Sequence, residues 1–154
     1  MLLLIGYGNT LRSDDGVGPR VVEAIVAQKL PGVETLICDL LTPEVADPIS
    51  RADTVVFVDA AIDAPAEVQL RTLLPADSSQ IMAHAADPRT VLALARDVFG
   101  HAPEAWWLTI PVKDIGIGEQ FSDLAWKGVG RAIQKIRDLQ QACSNADPAQ
   151  TSVG

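Results

Sequence analysis

The stretch Leu2-Leu3-Leu4-Ile5-Gly6-Tyr7-Gly8-Asn9-Thr10-Leu11-Arg12-Ser13-Asp14-Asp15-Gly16-Val17-Gly18 decides how the chain is read. Leu2 to Tyr7 is a short apolar run, the pattern of a first strand buried on both faces. Gly6 and Gly8 follow as a tight turn, with positive φ expected at one or both. From Gly16 to Leu30, the residues Val17, Val21, Val22, Ile25 and Val26 are spaced for one helical face. Pro19 is compatible only with a first turn, so the helix must begin just before it. A buried strand, a glycine loop and an amphipathic helix open an α/β layer fold.

Working outward, the alternation continues. Val33 to Asp39 reads as a second strand and Pro43 to Ile49 as a short helix. Thr54 to Val58 is β-branched and aromatic throughout, a central strand, and Val68 to Leu74 has the alternation of an edge strand. Asp87-Pro88 supplies an N-cap and a first helical residue, and Gly100 a stop. Between them lies an apolar face of Val91, Leu92, Leu94, Ala95, Val98 and Phe99. Trp106 to Val112 is a further strand. Ser122 caps a last helix with Trp126, Val129, Ile133 and Ile136 on one side. These segments predict a three-layer α/β/α fold: a twisted, mostly parallel five-stranded sheet with helices on both faces. A single domain is expected over residues 1–142, followed by a disordered tail over 143–154.

The 154 residues carry 48% hydrophobic and 21% charged side chains, ordinary for one globular domain. The formal net charge of −8 repels phosphate backbones and anionic lipid heads, so neither nucleic acid nor membrane is an expected partner. No apolar run approaches the roughly 18 residues of a membrane span, and the apolar N-terminus lacks the basic flank of a signal peptide. The expected location is the cytoplasm. Cys38 and Cys143 form no CxxC pair and read as passive thiols. No heptad pattern is present, and a monomer is expected.

Ligands of open α/β sheets sit outside the carboxyl ends of the strands. Four places qualify: the glycine loop with Asp14-Asp15, Asp59 after the third strand, the loop carrying His84, and Lys113 to Gly118 after the last strand. The glycines are a weak match to a dinucleotide fingerprint, because the third glycine position holds Leu11 and helix–strand closeness is lost with it. Acids before a helix stabilise its N-terminus, but one suffices and the second is surplus. Asp59 could be a plain turn acid, and His84 a surface histidine. His101 follows a helix stop and reads as surface. Taken together, Asp15, Asp59 and His84 supply two carboxylates and one imidazole from three loops, a set suited to a divalent ion such as zinc or nickel. Nucleophilic alternatives are poorer: no serine stands in a GxSxG elbow, and Ser13 has no evident base.

The blocks Gly6-Tyr7-Gly8-Asn9-Thr10-Leu11 and Asp14-Asp15-Gly16-Val17-Gly18 resemble the signature of the hydrogenase maturation peptidases. Val58-Asp59-Ala60, the His84 loop, and Pro111 with Gly116-Ile117-Gly118-Glu119-Gln120-Phe121-Ser122 resemble later blocks of that family, in order. Asp39-Leu40-Leu41-Thr42-Pro43-Glu44 is similar to a stretch of the branch that serves soluble, bidirectional hydrogenases. The resemblance implies an endopeptidase that removes the C-terminal extension of a nickel-loaded [NiFe]-hydrogenase large-subunit precursor. It implies Asp15, Asp59 and His84 as metal contacts, with Asp15 and Asp59 catalytic, and nickel supplied by the substrate or another divalent metal such as zinc. The family often has Glu where this chain has Asp15, an arm one methylene longer.

Two other readings stand beside it. Asp14-Asp15, Asp59 and Lys113 occur in the order that a receiver-like, magnesium-dependent phosphoacceptor domain would use. A binding-only protein of the same fold is the third.

Overall fold

Leu2–Tyr7 forms β1, and all six of its residues are buried, as an apolar run at the centre of a covered sheet requires. β2 (Val33–Cys38) and β3 (Thr54–Ile62) flank it, both parallel. β5 (Glu104–Val112) lies beyond β3, also parallel, and β4 (Gln69–Leu73) closes the far edge antiparallel to β5. The sheet order is β2-β1-β3-β5-β4. The computed structural model describes residues 1–62, 65–77 and 87–146.

Side chains alternate across the sheet and build two cores. Leu2 and Leu4 of β1, Val56 and Val58 of β3, and Leu108 and Ile110 of β5 face α1 (Val17–Gln28) and α4 (Asp123–Ala146). Leu3, Ile5, Val55 and Phe57 face α2 (Ala46–Ser50) and α3 (Pro88–Phe99). The expected three-layer α/β/α arrangement is the one found.

The helix ends obey local chemistry. Asp87 Oδ1 accepts the Arg89 N–H at 2.8 Å, and Gly100 ends α3 in the left-handed region at φ 83°. Ser122 Oγ accepts the Ala125 N–H at 3.2 Å at the start of α4. Three expected helix faces need correction. Val26 of α1, Val98 and Phe99 of α3, and Trp126 of α4 are exposed. Spacing assigns a side chain to a face, but the helix–sheet contact does not reach every position on it. α4 also runs unbroken through Cys143 to Ala146, so residues 143–146, expected in a disordered tail, are helical; 147–154 lie outside the described residues. No described helix is long and apolar enough to cross a membrane.

Glycines set how closely α1 approaches the sheet. A Cβ on Gly6 would lie 2.4 Å from the Gly18 carbonyl oxygen, and one on Gly18 would lie 2.6 Å from that of Val58. α1 can therefore start directly over β1 and β3. Leu11 stands where a dinucleotide loop has its third glycine, but the close approach expected to be lost is supplied by Gly18.

Candidate active site

The loop after β1 starts at Gly8, whose φ of 145° and contact with the Asp15 carbonyl exclude a side chain. Asn9 then makes an Asx turn, its Oδ1 accepting the Leu11 N–H at 2.9 Å. A 3-10 turn over Ser13–Gly16 carries both acids into α1. Their roles diverge completely.

Asp14 is fully buried. Its Oδ2 accepts the backbone N–H groups of Lys113 and Asp114 at 2.9 and 3.0 Å and the Ser122 hydroxyl at 2.6 Å; its Oδ1 accepts the Ser122 N–H at 2.7 Å. Burial alone would raise its pKa, but these donors together outweigh that and hold it below the ordinary carboxylate value. Asp14 does not cap α1, contrary to the expectation for an acid before a helix. It ties the β1 loop to the loop after β5. Ser13 N–H to Gly118 O at 2.7 Å, Gly118 N–H to Leu11 O at 2.9 Å and Ser13 Oγ to Gly116 O at 2.9 Å complete the seam. Ser13 is thus a structural residue with its hydroxyl engaged.

Asp15 is half-buried and points elsewhere. Its Oδ2 accepts the Asn9 N–H at 2.7 Å, and among the described residues its Oδ1 has no hydrogen bond. Asp59 does not follow the end of β3, as expected, but lies within the strand. β3 and β5 continue pairing from Asp59↔Thr109 to Ile62↔Val112, after β1 has stopped at Tyr7. The Asp59 carboxylate therefore sits on a rigid sheet face at the rim left by the shorter strand. Burial pushes its pKa up to about 6; the Tyr7 hydroxyl counters this, the Asp15 charge adds to it, and the Ala60 N–H opposes it. The Asp15 charge is felt at Asp59, and the turn that carries Asp15 packs against β3, so the two acids share one locality.

In the sequence, Tyr7 reads only as strand. The Gly6↔Val58 register sets it beside Asp59 on the same face. Burial first, then the Asp59 charge, drives its hydroxyl pKa far above the ordinary value, so it remains a proton donor. Yet Tyr7 Oη and Trp107 Nε1 are both buried, and among the described residues neither has a hydrogen bond. The only signal in the sequence is a hydroxyl at the end of an otherwise apolar strand.

The structure brings together Asp15 and Asp59; His84 lies outside the described residues. The described residues contain no group of three metal-ligating side chains. The two carboxylates nonetheless fit a divalent cation chemically, since adjacent like charges are relieved by a cation or by a proton. His101 is exposed, as expected. Lys113 is exposed, and it is its backbone N–H that serves Asp14. Both cysteines are free.

Neither protein-family models nor curated protein sequences match this chain. Solved structures do. The hydrogenase maturating endopeptidase HybD from E. coli superposes with a TM-score of 0.71 at 20% identity, over 92% of this chain and 93% of that one. The [NiFe] hydrogenase maturation protease HybD from Thermococcus kodakarensis gives 0.67 at 22% identity, over 90% and 98%. HycI from the same organism, another [NiFe] hydrogenase maturation protease, gives 0.68 at 22%, over 91% and 92%. The likeness extends over nearly the whole of each chain and establishes a common fold.

Proposed function

We propose that this chain is a hydrogenase maturation endopeptidase, cutting the C-terminal extension from a nickel-loaded large-subunit precursor in the cytoplasm, and acting as a monomer. The observation that carries the proposal is the convergence of Asp15 and Asp59 at one rim, held by a loop seam whose residues are those resembling the peptidase signature. The fold shared with maturation proteases supports it.

In this reading, Asp15, Asp59 and His84 grip the nickel of the precursor, which is part of the substrate. That contact tests whether loading is complete. A nickel or zinc ion at the site would supply Lewis-acid polarisation. One of the two carboxylates accepts a proton from the attacking water. The water oxygen bonds to the carbonyl carbon of the tail peptide, the C–N bond breaks, and the proton passes to the departing amine.

The receiver-like alternative fits poorly. Doubly wound folds of that kind have the order 2-1-3-4-5. Here β5 adjoins β3, and the antiparallel β4 is outermost.

The test is a gel-shift cleavage assay on nickel-loaded and nickel-free cognate precursor. Cleavage of the loaded form alone is expected, and Asp59→Asn and His84→Ala should abolish it. Unchanged cleavage by either variant would refute the site. Binding of loaded precursor without cleavage would favour the binding-only reading.

A further inference from the structure

A buried hydroxyl without a partner opposes folding, and a phenyl ring would fill the Tyr7 position without that penalty. Tyr7 is 9% exposed, with Leu3 and Ile5 of its own strand in the same core. Its neighbours there are specific. Asp59 lies beside it through the β1–β3 register, and Trp107 stands on β5 opposite Phe57, on the same face. The register thus sets the hydroxyl on the sheet face that carries both the Asp59 carboxylate and the Trp107 indole. An indole N–H can only donate, a carboxylate can only accept, and a phenol does both. The three groups therefore have one consistent polarity: Trp107 Nε1–H to Tyr7 Oη, and Tyr7 O–H to Asp59.

We propose that Tyr7 is a positioning residue, whose hydroxyl, backed by the Trp107 indole N–H, holds one oxygen of Asp59 so that the carboxylate presents the other to a divalent cation shared with Asp15. This rests on the reading of Asp15 and Asp59 as cation ligands. Among the described residues neither Tyr7 Oη nor Trp107 Nε1 has a hydrogen bond. The line closes when a cation draws the carboxylate into a single orientation. Asp15 is already held in this way, with one oxygen on the Asn9 N–H and the other without a described partner. Among the described residues no backbone N–H from elsewhere in the chain holds Asp59 in this way, the adjacent Ala60 N–H being the weakest influence on it, and the Tyr7 hydroxyl takes that place. Partners of this kind behind a metal ligand commonly change affinity 10- to 100-fold.

The test uses the full chain and Zn²⁺ as the probe, with affinity read by calorimetry and Tm by thermal melting in chelator. Tyr7→Phe should weaken Zn²⁺ binding by about 10-fold or more while leaving Tm unchanged or higher, because it deletes a buried unpaired hydroxyl. Trp107→Phe should weaken binding in the same direction, by less. Wild-type affinity in Tyr7→Phe would overturn the proposal. So would a fall in Tm alongside the affinity, which would make the hydroxyl a structural group, or an absence of Zn²⁺ binding by the wild type. Calorimetry involves no precursor. A chain that binds Zn²⁺ through Tyr7 but cleaves nothing would sink the peptidase reading alone.

Discussion

Asp14 and Asp15 are chemically identical and adjacent, and they do opposite work. Asp14 commits its acceptors to four donors from another loop, whereas Asp15, near Asp59, has one oxygen with no hydrogen bond among the described residues. Asp14→Ala would orphan three backbone N–H groups and should cost about 3 kcal/mol or more, read by urea denaturation. Because its folded pKa is depressed, Asp14 stabilises above the unfolded carboxylate value of about 4, and that contribution disappears as pH falls through the folded pKa. Asp59 has the reverse sign. Its folded pKa, raised to about 6, means the ionised form weakens the fold at neutral pH, and the penalty lifts as pH falls from about 6 towards 4. In chelator, Asp59→Asn should therefore gain about 1–2 kcal/mol at pH 7.5, after allowance for its partial exposure, and nothing near pH 4. A variant both inactive and more stable is expected of a group placed for chemistry rather than packing.

Among elements, the decisive contact is α1 against β1 and β3. Gly18→Ala would set a methyl 2.6 Å from the Val58 carbonyl oxygen and 2.8 Å from that of Tyr7, so α1 must lift. The expected cost is about 2–3 kcal/mol, a Tm lowered by about 5–10 °C in a calorimetric scan. Gly130 provides the contrast. It lies in α4, where an added methyl would meet nothing within 4 Å, and Gly130→Ala should raise stability by about 0.5–1 kcal/mol. The lift of α1 in Gly18→Ala should also displace Asp15, which stands just ahead of the helix, and reduce cleavage.

For the whole molecule, one sheet separates two cores and couples them. Leu92→Ala on the α3 side and Ile136→Ala on the α4 side should each cost about 2–5 kcal/mol. Both should shift a single transition. Trp106 and Trp107 are neighbours that face opposite layers, so tryptophan fluorescence samples both cores. Coincidence of its melt with far-UV circular dichroism is expected, and separate midpoints would show that the cores unfold independently.

Much of the fold is legible locally. Apolar runs, helical spacing, Pro19, the Asp87-Pro88 start, Gly100 and Ser122 name the elements and their order, because each signal acts within a few residues of chain. The strand-rim rule likewise points to Asp15 and Asp59. Other features depend on groups distant in sequence. Asp14 acquires its role from residues 113–122, roughly a hundred positions away, and periodicity carries no record of that hydrogen bonding. Asp59 lies within a strand because β5 outruns β1, a matter of sheet order. Trp126 is exposed although Ala125 beside it is fully buried, because α4 docks through its Ala125 and Val129 side; the ring meets Phe121 edge-on with centroids 5.1 Å apart. Tyr7 is strand filler by pattern, and only register sets it beside a carboxylate. Sequence by itself determined which elements form and singled out the acids near the strand rim, since those follow from local sterics and hydrophobic spacing. Only the tertiary structure decided which acid is buried and which is open, because burial and partner donors exist only once distant loops have met.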